Sequence, residues 1–158
     1  MSYFIEKVKC SETYSELSQV EYQQIINIEK ENHDDGFKFL QIGVRGEYDY
    51  NDKDYRWFVT KENGRVVAYV LLDIERSDFV YFDDIGVSKY HKNLGHGTKL
   101  IEKVLKWKSE CEDSRPLVLK VARANIGAVK LYKKFGFVET DAPDPKWHIA
   151  DDHFWLTF

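Results

Sequence analysis

The residues Lys92 to Thr98, KNLGHGT, offer the clearest chemistry in this chain of 158 residues. Gly95 and Gly97 let the backbone approach a ligand closely. The apolar stripe that follows, Leu100, Ile101, Val104 and Leu105, marks a helix. A helix start turns free N–H groups and the positive end of its dipole toward the loop, which suits phosphate. Lys89, Lys92 and Lys99 add positive charge. The spacing G-x-x-x-x-G-K-[ST] is absent, and so is the third glycine of a dinucleotide fingerprint. A second group is Asn125 with Tyr132. Asn125 suits a helix N-cap, and Tyr132 lies on the stripe Ala128, Leu131, Tyr132, Phe135. Taken singly, these two residues are an ordinary cap and an ordinary core tyrosine.

Together the two groups resemble the GCN5-related N-acetyltransferase (GNAT) superfamily. Its strand ending in apolar-x-Val, followed by [QR]-x-x-G-x-[GA], is matched by Ile85-Gly86-Val87 and by Lys92-Asn93-Leu94-Gly95-His96-Gly97. Its second segment, N-x-x-A-x-x-x-Y-x-x-x-G-F, is matched by Asn125, Ala128, Tyr132, Gly136 and Phe137. The close match runs from Phe79 to Phe137. The chain departs in two places: Lys92 stands where the family prefers Arg or Gln, and Lys89 stands where a proline is frequent. Lysine keeps the charge but loses the bidentate fork.

The resemblance implies acetyl-coenzyme A as cosubstrate and no metal. Its pyrophosphate would sit on the N–H groups of Lys92, Asn93, Leu94, Gly95, His96, Gly97 and Thr98. Its pantetheine arm would pair with the backbone near Ile85 and Val87, and Asn125 would contact it as well. The implied reaction is direct attack of a neutral amine on the thioester, with Tyr132 as general acid toward the sulfur and backbone N–H groups near Val87 facing the oxyanion. Asp83 and Asp84 are the candidate bases. Neighbouring strand residues point to opposite faces, so only one of the two faces the cleft unless a bulge intervenes. Another solution in the family, a glutamate five residues before the Asn, is replaced here by Lys120. The histidine pairs His91/His96 and His148/His153 form no H-E-x-x-H pattern, and His96 is expected to serve through its backbone.

These residues need elements to position them. Tyr3–Val8 reads as a strand and Glu12–Asn32 as a helix with Leu17, Val20, Ile25, Ile26 and Ile28 facing the core. Gly36–Asp54 reads as a long irregular excursion. Tyr55–Lys61, Arg65–Glu75 and Phe79–Val87 then form a meander, its first turn marked by Asn63-Gly64. The run VVAYVLLDI is apolar throughout, so both faces are expected to be covered. Pro116–Val121, a helix over Asn125–Phe135, Phe137–Thr140 and Phe154–Phe158 complete an order of roughly βααβββαβαββ. The expected fold is α/β, an α+β mixed sheet of GNAT type, splayed and mostly antiparallel, in a single domain over 1–158.

Composition supports this. The net charge of −4 conceals two segments, Ser88–Lys108 and Lys120–Lys134, each at +5, so the remaining 122 residues carry −14. The basic segments coincide with the two motifs, as an anionic ligand requires. The acidic remainder includes Gly36–Arg56 and Trp147–His153, with Tyr48, Tyr50, Tyr55, Trp57, Trp147 and Trp155. This suits a small cationic amine acceptor; a peptide or lysine amine is the alternative. A non-catalytic coenzyme A-binding regulatory module is a further reading, against which the intact Tyr132 argues. An acidic pI of about 5.7 argues against nucleic acid. No apolar run is long enough to span a membrane, and no signal-peptide pattern opens the chain. Cys10 and Cys111 are expected as reduced thiols of a cytoplasmic protein, and the resemblance adds a homodimer as partner.

Overall fold

The computed structural model describes residues 2–4, 17–32, 55–147 and 152–158. The expected excursion over 36–54, the first part of the expected first helix and His148 lie outside these residues.

Strand β1 (Ser2–Phe4) opens the chain, and helix α1 (Gln19–Asn32) follows. The helix begins at Gln19 because Ser18 and Glu21 cap each other. The Ser18 N–H donates to Glu21 Oε1 at 2.8 Å, and the Glu21 N–H donates to Ser18 Oγ at 3.2 Å. The longer helix expected from Glu12 is thereby corrected: Leu17 and Ser18 precede it. Ile25, Ile26 and Ile28 are buried as expected, but Val20 is 65% exposed.

The meander β2 (Tyr55–Glu62), β3 (Arg65–Asp73) and β4 (Val80–Val87) forms as the sequence indicated. Asn63 and Gly64 turn its first hairpin with φ of 52° and 76°. Next come helix α2 (His96–Glu110), β5 (Leu117–Ala122), helix α3 (Ile126–Lys134), β6 (Val138–Thr140) and β7 (His153–Thr157). The described strands form one sheet in the order β1-β2-β3-β4-β5-β7-β6, antiparallel except between β4 and β5.

Both faces of the sheet are covered, which explains the unbroken apolar run of β3. Ala68, Val70 and Leu72 pack with Leu100, Ile101, Val104 and Trp107 of α2 and Tyr132 of α3. Val66, Tyr69 and Leu71 pack with Ile25 and Ile28 of α1. Trp57 belongs to this second cluster and is 1% exposed, so it is not the acceptor-facing aromatic expected.

Two irregularities of β4 matter for the site. It pairs with β5 only at Val80↔Leu117 and Tyr81↔Val118. From Phe82 to Val87 that edge has no strand partner among the described residues, so the sheet opens into a wedge. On its other edge, β4 has Phe82 opposite Leu72 and Asp84 opposite Leu71, leaving Asp83 as the extra residue of a β-bulge.

Cys111 is disulfide-bonded, which corrects the expectation of two reduced thiols. No described helix is long and apolar enough to cross a membrane.

Candidate active site

The loop between β4 and α2 is shaped by two left-handed residues, Asn93 with φ 62° and Gly95 with φ 83°. A Cβ at Gly95 would meet only open space, so the dihedral angle, not crowding, selects glycine there. Gly95 is the N-cap of α2 and contributes no side-chain cap, and the first turn holds no acid. The first intrahelical bond runs from the Lys99 N–H to the Gly95 carbonyl at 3.0 Å. The amides of His96, Gly97 and Thr98 therefore precede the helical ladder, where an anion is held best.

The end of α1 fixes this loop. Asn32 Nδ2 donates to the Val87 carbonyl at 3.1 Å, and Asn32 Oδ1 accepts from the Lys92 ammonium. The Lys89 N–H donates to Glu31 Oε2 at 3.0 Å. From the β2–β3 hairpin, Glu62 reaches His91 Nε2 at 3.1 Å and His96 Nε2 at 3.3 Å. The His96 imidazole thus faces a carboxylate of its own chain, in keeping with a ligand role for its backbone.

A cavity of about 580 Å³ joins loop and wedge. Ile85, Val87, Lys92, Asn93, Gly95, His96, Gly97, Thr98, Asn125 and Tyr132 all line it. Leu94 does not; it is 60% exposed. Asn125 is at once the N-cap of α3, its Oδ1 accepting from the Ala128 N–H at 3.3 Å, and part of the cavity wall. Tyr132 is 5% exposed. Burial, then the negative charge of Asp84, pushes its phenol well above the ordinary tyrosine range, so it stays protonated. No described residue accepts its hydroxyl proton, which is left for a ligand.

Asp83 and Asp84 do not line this cavity. Asp84 lies on the α1 side of the sheet, where its Oδ2 accepts from the Tyr69 hydroxyl at 2.7 Å. Asp83, released from pairing by the bulge, is open to solvent yet surrounded by protein, as on the floor of a cleft. Desolvation, then the charges of Asp84 and Asp73, raise its carboxyl from 3.8 to about 7, with Lys120 opposing. The two carboxyls directly precede Ile85, Gly86 and Val87, the part of β4 that lines the cavity. Among the described residues no cluster of His, Cys, Asp or Glu is arranged to hold a metal.

The sequence profile of the Acetyltransferase (GNAT) family matches residues 15–137. The chain belongs to this family. A curated relative, the N-alpha-acetyltransferase of Sulfurisphaera tokodaii, is 30% identical over 102 residues, or 55% of this chain. The match spans 60% of that relative's own length. Among solved structures, the fold is similar to the ribosomal-protein-S18-alanine N-acetyltransferase of Escherichia coli, with TM-score 0.69, 20% identity and 90% of each chain covered. It is also similar to a GNAT family acetyltransferase of Elizabethkingia anophelis with acetyl-CoA bound, with TM-score 0.55 and 22% identity over 66% of this chain and 75% of that one. The splayed, mostly antiparallel sheet expected from the sequence is the fold of this GNAT chain.

The sequence does not single out Asn32 and Gly86 of the cavity wall, nor Glu29 and Tyr69 beside Asp84. Glu29 is 2% exposed on α1, a burial rare for glutamate. Gly86 was quoted only as a spacer, yet a Cβ there would lie 2.6 Å from the Tyr69 ring. A glycine inside a strand is the signal that could have pointed to such a close approach. The acceptor aromatics fare less well. Trp155 is buried, and Trp147 packs on Tyr81 at 5.0 Å with the Arg76 guanidinium 5.6 Å from its ring. Tyr48 and Tyr50 lie outside the described residues.

Proposed function

We propose that this chain transfers an acetyl group from acetyl-coenzyme A to a primary amine, the acceptor being a small cation. One observation carries the reading: the uncapped start of α2, the open edge of β4 and the unpartnered Tyr132 hydroxyl share a single cavity. The first suits a pyrophosphate, the second an arm that pairs like a strand, and the third a thiolate that must gain a proton.

In the proposed reaction an ammonium gives a proton to Asp83, whose basicity near neutral pH matches the task. The amine nitrogen bonds to the thioester carbon, and amides near Val87 face the oxyanion. The carbon–sulfur bond breaks as Tyr132 donates its proton to the leaving sulfur, and the second proton of the attacking nitrogen, shed as the amide forms, restores the Tyr132 phenol. Asp73, Asp83 and Asp84 supply the negative surroundings that favour a cationic acceptor. A second reading, acetylation of a peptide α-amine, is favoured by the name of the Sulfurisphaera tokodaii relative.

The test is release of free thiol from acetyl-coenzyme A by the full chain, with polyamines, amino sugars and short peptides offered separately. Release driven by a small cation supports the first reading, and release driven only by peptides supports the second. Tight binding without acceptor-dependent release on the whole panel would overturn both in favour of a regulatory module.

A further inference from the structure

Behind the floor of the cleft, Tyr69 Oη lies 2.9 Å from Glu29 Oε1 and 2.7 Å from Asp84 Oδ2. Tyr69 is 1% exposed and Glu29 2%. A phenol has one hydrogen to give. Were both carboxyls ionised, one of these short contacts would set oxygen lone pairs against each other in a dry site. One carboxyl must therefore carry a proton and donate it.

Glu29 is the one. It is the more deeply buried, and its Oε2 has no hydrogen-bond partner among the described residues. Desolvation, then Asp84, raises its carboxyl from 4.5 to about 10. The chain is built around this arrangement. The ring of Tyr69 crosses β4 at Gly86, where any Cβ would strike the phenol, at 2.6 Å from a ring carbon and 3.0 Å from the hydroxyl.

We propose that Glu29 is a positioning residue: as a neutral acid it donates to the Tyr69 hydroxyl, which turns that hydroxyl's hydrogen onto Asp84 and so fixes the Asp84 charge beside Asp83, the base. The inference rests on the acetyl-transfer reading for its functional consequence. The groups facing the cluster are Tyr69 and Asp73 from β3, Tyr81 and Asp83 from β4, Lys120 from β5 and Tyr132 from α3. Of these described groups only Lys120 carries positive charge.

The experiment compares the pH profile of kcat/KM for the wild type, Glu29→Gln and Glu29→Leu, with thermal unfolding of each across pH. Glu29→Leu is expected to move the acid limb downward by about one pH unit, because the Tyr69 hydroxyl loses the donor that turns its hydrogen onto Asp84 and the negative charge beside Asp83 is no longer held in place. Glu29→Gln keeps a neutral donor and is expected to restore the limb. Gly86→Ala, which displaces the phenol from outside the helix, is expected to shift the limb in the same direction as Glu29→Leu.

The unfolding data do not depend on activity. The folded protein holds the Glu29 proton between 4.5 and about 10, while the unfolded chain releases it, so wild-type stability falls as pH rises through that window. Glu29→Gln is expected to flatten that fall. An unmoved limb in Glu29→Leu, a Glu29→Gln profile like that of Glu29→Leu, or equal pH slopes of unfolding for wild type and Glu29→Gln would each overturn the proposal. A wild type with no thiol release at any pH would instead count against the acetyl-transfer reading, and the unfolding slopes would still decide the state of Glu29.

Discussion

The loop at 92–98 and the carboxyl floor around Asp83 adjoin the same strand, yet they are built in opposite ways. The loop presents backbone groups. Its amides are freed by two left-handed residues and a helix start without a cap, and side chains contribute little beyond charge. The floor works through side chains from separate elements: Glu29 from α1, Tyr69 from β3, and Asp83 and Asp84 from β4. A backbone site tolerates substitution except where a dihedral angle requires glycine. A side-chain cluster in low dielectric is sensitive at each member, because every group sets the charge of the next.

The comparison predicts a division of effects. The largest is expected on the floor. Asp83→Asn should lower kcat/KM by about 10²–10³-fold through loss of the base, with acetyl-coenzyme A affinity little changed. Wild-type activity should rise with pH through about 7, as Asp83 loses its proton, and the variant should lack that rise. Steady-state kinetics across pH with a parallel binding titration would check this. A fall in affinity matching the fall in rate would erase the distinction between floor and loop.

The next effect belongs to the loop. Gly95→Val forces a β-branched residue into φ near 83°, at a cost of about 1–2 kcal/mol. Acetyl-coenzyme A binding should weaken by about tenfold, with kcat at saturation nearly preserved. Calorimetric titration and saturation kinetics would show it, and a loss confined to kcat would sink the backbone account.

The smallest effect should appear where both principles meet. Asn125 caps α3 and also lines the cavity. Asn125→Ala should cost about 1 kcal/mol of stability, lowering Tm by about 2–4 °C. If it acts as a cap alone, Asn125→Asp, which still accepts the Ala128 N–H, should restore Tm and affinity together. Restored Tm with affinity still impaired would assign it a separate contact with the anionic ligand.

The loop was legible because local sequence dictates it. Gly95 and Gly97, the apolar stripe of α2 and the surplus of lysine all fall within one short segment. The helix over Asn125–Phe135 announced itself likewise, by a cap, a stripe and a terminal glycine, and the structure places α3 at Ile126–Lys134. The start of α1 was missed although Ser18 and Glu21 carry a capping box, because an acidic, sparsely apolar stretch upstream also tolerates a helical pattern. Trp57 is buried although the sequence groups it with the acceptor aromatics, since composition does not tell a core tryptophan from a binding one.

What the sequence by itself determined is the order of the described elements from β2 onward, the glycine-shaped loop before α2 and the identity of the residues at the two motifs. These follow from short-range rules of dihedral angle, capping and periodicity. The tertiary structure decided the rest. A one-residue bulge chose the placement of Asp83, β4 parted from β5 beyond Tyr81, and α1 brought a buried acid against Tyr69. The physical reason is that a carboxyl takes its protonation state from its surroundings, and the groups around Glu29 and Asp83 come from elements that meet only when the chain is folded.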